Sequence, residues 1–191
     1  NIDNDFAEED VAGFVATDFK QNGLSIQFKI NGTAFNLEQL GRHNMQNALA
    51  ATAAAAQIGI SLETCAKALE TYEGIYRRHQ IISKENDVWL IDDYAHNPAK
   101  CAASIAACQQ IAPKVIAWFQ PHGYTPTRFL RADFVNEISA VLRPEDEIWM
   151  SEIFYAGGTT VKNISANDLI MDIKAKDKNA FFQEDRNDFF N

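Results

Sequence analysis

From about Arg77 onward, short apolar runs of strand length alternate with longer stretches of helical period, and no other feature constrains the fold as much. Gln80–Ser83 and Val88–Ile91 read as two strands around the polar turn Lys84–Asp87. Pro98 suits the first turn of a helix reaching about Gln110, because its missing N–H would be unpaired there anyway. Lys114–Phe119, KVIAWF, reads as a buried strand. Thr127–Leu142 reads as one helix, with Phe129, Leu130, Phe134, Ile138 and Leu142 near one face. A strand at Glu147–Met150, a helix at Ser165–Ile173 and a last strand at Ala180–Gln183 follow. Such alternation implies an α/β fold with a mainly parallel sheet.

The chain before this point has a different character. Residues 24–30, LSIQFKI, alternate as a half-buried strand does. Asn31-Gly32 then supplies the positive φ angles of a tight hairpin turn, with Ala34–Leu37 returning as the partner. Asn44–Ile58, NMQNALAATAAAAQI, is dense in the best helix former, with Asn44 a candidate N-cap. Gly59 closes that helix. Ser61 can cap the next, Glu63 suits its dipole, and it runs to about Tyr72. A boundary is expected around residues 73–78, giving parts 1–75 and 76–191. The first twenty or so residues and the tail carry no reading.

Charge and cysteine usage exclude several classes. Lys and Arg total 17 against 26 Asp and Glu, a formal charge of −9. A nucleic-acid partner would call for a basic face, so none is expected. Cys65, Cys101 and Cys108 lack metal-ligand spacing and fall in helix-like stretches, where a small buried apolar residue is the expected role. An odd count without a signal peptide points to a reducing cytoplasm. The longest apolar stretch, Ala48–Ala56, is too short to span a bilayer, so no membrane partner is expected. The chain starts at Asn1 with no initiator Met, as a fragment would.

Ligands of open parallel sheets gather at the carboxyl ends of strands. Two polar loops are expected there: Asp92-Asp93-Tyr94-Ala95-His96-Asn97-Pro98 after VWLI, and Gln120–Arg128, QPHGYTPTR, after KVIAWF. Glu152–Gly158 is a weaker third. Asp92 and Asp93 read equally well as turn formers and caps. His96 and His122 taken singly read more readily as structural or solvated loop residues than as catalytic ones. Arg77-Arg78 suits bidentate phosphate or carboxylate recognition, or a solvated pair. Asn44 and Asn47, at i and i+3, can share one side of a helix turn, and Asn47 has no capping role to explain it. No local spacing supports a metal site, and no GxxxxGK[ST] phosphate loop is present.

Four strings together resemble the Mur ligase family. Gly41-Arg42-His43-Asn44-Met45-Gln46-Asn47-Ala48-Leu49-Ala50-Ala51 resembles its GxHNxxNAxAA signature, and Gly74–Arg78 resembles GvxRR. Asp92–Pro98 resembles DDYAHxP, and Phe119–Thr127 resembles FQPHRYTRT. The last two point to the L-alanine-adding branch. The resemblance implies a Rossmann-like C-terminal Mur ligase domain with a mainly parallel sheet. Before it would come the tail end, hairpin plus helices, of a central ATPase domain. It also implies an ATP- and Mg²⁺-dependent ligase joining an amino acid to UDP-N-acetylmuramate through an acyl phosphate. The chain alone would be inactive, because the phosphate loop would lie upstream.

By the same resemblance His43 and Asn47 would lie by the adenine, Arg78 by the ribose and phosphates, and Asp93 on the ribose hydroxyls. His96 would face the reacting centre, with Arg78 serving catalysis as well. Tyr94, His96, His122 and Tyr124 would line the substrate side. The sequence departs from the pattern at Gly123 and Pro126, where arginines are expected, and at His79-Gln80, where it is Phe-Glu. Arg128 could replace the lost cation. Asn97 is similar to the folylpolyglutamate and cyanophycin synthetase relatives. A superfamily ligase with another acceptor, or a non-catalytic binding module, are the alternative expectations.

Overall fold

Three two-residue turns fold the start of the described chain back on itself. The computed structural model describes residues 9–155, 157–186 and 188, in two compact units, Asn1–Asp93 and Tyr94–Asn191. In the first unit, β1 (Glu9–Val11), β2 (Phe14–Asn22), β3 (Ser25–Ile30) and β4 (Thr33–Leu37) form an antiparallel meander in sequence order. Asn31 and Gly32 both have positive φ, 46° and 84°, and Ile30 pairs with Thr33. This is the mirror-image turn whose twist matches paired strands. Strands β1 and β2 lie in the stretch that had carried no reading.

Ile26, Phe28 and Ile30 alternate inward on β3 and meet Phe35 and Leu37 of β4. Two helices cover them, α1 (Arg42–Gln57) and α2 (Leu62–Glu70), through Met45, Ala48, Leu49 and Cys65. The alanine run packs along one side only: Ala48 and Ala53 are buried, whereas Ala50, Ala51 and Ala54 face out. Gly41, not Asn44, holds the N-cap position of α1. Asn44 lies inside the helix and donates to the Leu40 carbonyl at 2.7 Å. Ser61 caps α2 by accepting from the Thr64 N–H.

β5 (Gln80–Glu85) and β6 (Val88–Asp92) form a separate antiparallel hairpin turned by Asn86 and Asp87, both at positive φ. The loop that begins at Asp92 therefore leaves an antiparallel strand, where a parallel one was expected. The polar turn read between the two strands is far too short for a parallel crossover, so the antiparallel pairing follows from it.

The second unit is the α/β part. β7 (Ile116–Phe119), β8 (Glu147–Met150) and β9 (Ala180–Phe182) pair in parallel, in that order. Between and before them run α3 (Pro98–Gln109), α4 (Tyr124–Phe129), α5 (Arg131–Val141) and α6 (Ala166–Lys174). The core joins Cys101 and Ile105 of α3, Phe134 and Ile138 of α5, Ile148 and Met150 of β8, and Leu169, Ile170 and Ile173 of α6. β7 is not buried on both faces: Ile116 and Trp118 are exposed while Ala117 and Phe119 pack inward. Cys108 is only half-buried.

The helix expected over 127–142 is two helices. Leu130, at φ −96° and ψ 10°, ends α4 and starts α5. Its N–H bonds to the Pro126 carbonyl, and its own carbonyl accepts from Phe134, so the ladder resumes on either side of the bend. Periodicity survives such a bend, which is why it is invisible in the pattern. Phe129, left on the far side, is 84% exposed.

One buried carboxylate ties the amino end of this sheet. Asp146 is fully buried. Its Oδ1 accepts from the Val115 N–H at 2.8 Å and from Arg143 at 2.9 Å. Its Oδ2 accepts from Gln109 at 2.8 Å and from the Arg143 backbone and Nε at 3.0 Å each. Burial alone would raise its pKa, but these donors overcome it and hold the carboxyl well below the usual range. A depressed carboxylate adds stability above its unfolded pKa of about 3.9, lost as pH falls through the folded value. Asp146→Ala is expected to cost about 3–5 kcal/mol, as when one partner of a buried pair is removed. Urea unfolding followed by Trp118 and Trp149 fluorescence measures it. The variant should also lose less stability than the wild type between about pH 4 and pH 2.

Candidate functional site

The residues singled out in the first unit converge around a histidine that sequence reasoning had noted only as a departure. His79 Nδ1 lies 2.9 Å from Asp93 Oδ2, with the two side chains 3% and 15% exposed. The His43 ring, from the second residue of α1, stacks on the His79 ring at 5.1 Å and 30°. The result is a pair of flat rings beside a carboxylate fixed in orientation. Burial first, then His79, push the His43 pKa down. Arg78 adds to this, while Asp93 opposes it. Arg78 is exposed, and its N–H closes a turn onto the Ile75 carbonyl at 3.0 Å. Arg77 instead pairs with Asp92 at 3.2 Å. Asn47 stands one turn along α1, exposed, donating to Asn44 Oδ1 at 3.3 Å.

His79 and Arg77 both have positive φ, 46° and 58°. Side chains other than glycine disfavour this region, so the surrounding contacts must hold them there. Neither the strain nor the meeting of residues 43, 79 and 93 has a local sequence signal.

In the second unit, a cleft of about 760 Å³ opens at the carboxyl ends of β7, β8 and β9. This is the position where parallel sheets take ligands. Gln120, Glu152–Tyr155 and Gln183–Arg186 with Asp188 line it. Glu184–Arg186 and Asp188 belong to the tail that carries no reading, and Glu152–Tyr155, from the weakest of the three loops on sequence, supply a central wall. Glu152 is held firmly. It accepts from Ser165 Oγ at 2.6 Å and from the N–H groups of Ile153 and Ala166 at 2.7 and 3.2 Å, so it also serves the start of α6.

Loop 120–128 runs beside this wall. His122 bridges in parallel to Phe154, their rings 5.4 Å apart. Tyr124, the first residue of α4, meets Tyr155 edge-on at 5.5 Å, and the Lys162 ammonium stands 4.5 Å from the Tyr155 ring centre. Arg128 donates to the Asn163 side chain and, at 3.4 Å, to the Val161 carbonyl. Tyr94 and His96 form a group of their own: the His96 Nδ1 is 3.0 Å from the Tyr94 carbonyl and the rings lie 5.7 Å apart. Both are exposed. Asn97 caps α3 by accepting from the Lys100 N–H at 2.9 Å, which gives it a local role.

Comparison with known proteins places the chain in a family. The model of the Mur ligase glutamate ligase domain matches residues 77–191. The UDP-N-acetylmuramate–L-alanine ligase of Acetivibrio thermocellus is 32% identical over 184 residues, covering 96% of this chain and 36% of that protein. That of Legionella pneumophila strain Corby is 30% identical, covering 91% and 38%. Among solved structures, UDP-N-acetylmuramate–alanine ligase from Thermotoga maritima superposes with a TM-score of 0.63 at 23% identity, covering 87% of this chain and 37% of that one. A MurF from Acinetobacter baumannii gives 0.65 at 24%, covering 89% and 35%. These likenesses speak to the fold. The chain belongs to the Mur ligase family, and it spans little more than a third of the length of these curated relatives.

A histidine whose folded pKa is lowered binds fewer protons folded than unfolded, so acid below about pH 6.5 removes stability. His43 is therefore expected to titrate below that value by NMR. His79→Ala, which removes both the cover and the facing ring, should move the midpoint back up.

Proposed function

We propose that this chain is part of an ATP-dependent ligase adding an amino acid, L-alanine on the first reading, to UDP-N-acetylmuramate in peptidoglycan precursor synthesis. On this reading residues 1–75 complete a central ATP-binding domain and residues 76–191 form the C-terminal domain. The observation that supports it most is the His43–His79–Asp93 cluster. The flat imidazole ring of His43 suits a purine face, and an oriented carboxylate suits the two hydroxyls of a ribose.

The substrate carboxylate would take the γ-phosphoryl group of ATP, forming an acyl phosphate and releasing ADP. The amine of the acceptor would then attack the acyl carbon, forming the amide and releasing phosphate. His43 and Asn47 would bind the base, Asp93 the ribose, and Arg78 the phosphates, where positive charge stabilises the transferring group. His96, exposed on the loop before α3, would face the reacting carbon. Tyr94, His122 and Tyr124 would line the acceptor side. Mg²⁺ would neutralise phosphate charge. Among the described residues no three His, Cys, Asp or Glu side chains group as ligands for it, so this chain's residues do not fit the ion by themselves and none of these steps is assigned to it.

A second reading keeps the ligase and changes the acceptor. Gly123 sits at φ 78°, and a Cβ there would lie 3.2 Å from Pro126. A charged side chain in the manner of the family pattern would be strained at 123 and is absent at 126. Arg128, the remaining cation of the loop, is turned to Asn163. These features favour an acceptor whose carboxylate is held differently from that of L-alanine.

Phosphate release by the full-length ligase, with ATP, Mg²⁺, UDP-N-acetylmuramate and a panel of amino acids, decides between them. Release that requires L-alanine supports the first reading, release with another acceptor supports the second, and release with none overturns both. Asp93→Ala and Arg78→Ala are each expected to raise the KM for ATP about tenfold to a hundredfold, the range for a hydrogen bond to a charged group. Circular dichroism should change little. Unchanged nucleotide affinity in both variants would refute the assignment of these residues.

A further inference from the structure

His79 is the one buried member of the cluster to which the reading above gives no task. Its side chain joins three segments of the first unit. It stacks on His43 from α1, reaches Asp93 just after β6, and stands on the strained turn that follows Ile75. The left-handed backbone at Arg77 and His79 persists only because such contacts hold it. Gln80 contributes by accepting from the Arg77 N–H at 3.1 Å.

We propose that His79 is a positioning residue for the nucleotide: it orients the Asp93 carboxylate and backs the His43 ring, and its protonation weakens nucleotide binding. This rests on the reading of His43 and Asp93 as nucleotide ligands. The charges facing the pair are Asp93, which favours a proton, and Arg78, which opposes one. Two imidazoles 5.1 Å apart beside one carboxylate accommodate one proton far more easily than two. When His79 takes that proton, Asp93 is drawn into an ion pair and offers less negative charge to a ribose hydroxyl. The stacked face that His43 presents to a base becomes cationic on its inner side. Nucleotide affinity then falls in mild acid, and the lowered pKa of His43 agrees with a site that resists charging.

The test is the KM for ATP of the full-length ligase between about pH 5.5 and 8.5, the range in which histidines titrate. It uses His79→Asn, whose amide can donate as Nδ1 does but cannot titrate, and His79→Phe, which keeps a ring and loses the donor. Wild-type KM should rise about tenfold toward the acid end. His79→Asn should match wild type near pH 8.5 and show a weaker, displaced acid rise. His79→Phe should raise KM about tenfold at every pH while kcat stays within about twofold.

A His79→Asn profile that superimposes on wild type, or a His79→Phe enzyme with unchanged KM, overturns the proposal. Asp93→Ala separates the two levels. If it leaves KM unchanged, the nucleotide reading itself fails. If it raises KM and His79→Phe does not, only the role of His79 fails. Should His79→Phe not fold, the His79→Asn profile decides alone.

Discussion

The second unit depends on a carboxylate that has no part in chemistry. Asp146 gathers the end of α3, the start of β7 and the loop before β8 through five hydrogen bonds to a single buried group. Arg143, which neutralises it, also donates to the carbonyls of Ala112 and Pro113, and Asn179, just before β9, donates to the Asp146 carbonyl. All three parallel strands are thus registered at their amino ends. A parallel sheet needs such an anchor, because its crossovers return each strand from far along the chain and no hairpin fixes the register. The carboxyl ends are left to loops, and there the cleft opens. Rigidity and accessibility are separated by the length of one short strand.

The first unit solves the same problem locally. Its strands are registered by two-residue turns and α2 by the Ser61 cap, so these elements carry their own signals. That difference explains what was legible in the sequence. Asn31-Gly32, Ser61 and Pro98 act on their immediate neighbours, and their roles could be read from the residues themselves. The antiparallel setting of β6 follows from the short polar turn before it, which leaves no room for a parallel crossover. The bend at Leu130 was hidden because it keeps the spacing of apolar residues. Asp146 lies in RPEDE, a string that reads as a solvated acidic turn until Val115 and Gln109 are brought to it by the fold.

The candidate site divides in the same way. The residues carried by motifs, His43, Asn47, Arg78, Asp93, Tyr94, His96, His122 and Tyr124, could be singled out because each string is contiguous, with Arg128 added from just beyond the last one. The residue that organises the best-defined cluster could not. His79 differs from the family pattern, follows a conformation no propensity favours, and gains its partners from positions 36 residues before and 14 residues after it in the sequence. A departure from a motif is as informative as a match when the substitute is buried and hydrogen-bonded, since burial without a partner would be costly.

The same reasoning bears on the loop after β7. Gly123 adopts φ 78°, its carbonyl accepts from Thr127 Oγ1 at 2.8 Å, and its N–H donates to the Phe154 carbonyl at 2.9 Å. Both backbone polar groups of Gly123 are committed, and Pro126 closes the space where a Cβ would go. The loop is therefore built around the absence of a side chain at 123. Restoring an arginine by substitution would set a left-handed penalty and a contact with Pro126 against whatever it gained from a bound carboxylate. The positive charge nearest these rings comes instead from Lys162, 4.5 Å from the Tyr155 ring centre and 5.7 Å from that of Tyr124. Lys162 is itself exposed, so its ammonium rests against these rings while open to solvent. Segment 157–163 carries that charge beside the loop, and its glycines at 157 and 158 let the backbone turn where Tyr155 meets the Gly158 carbonyl.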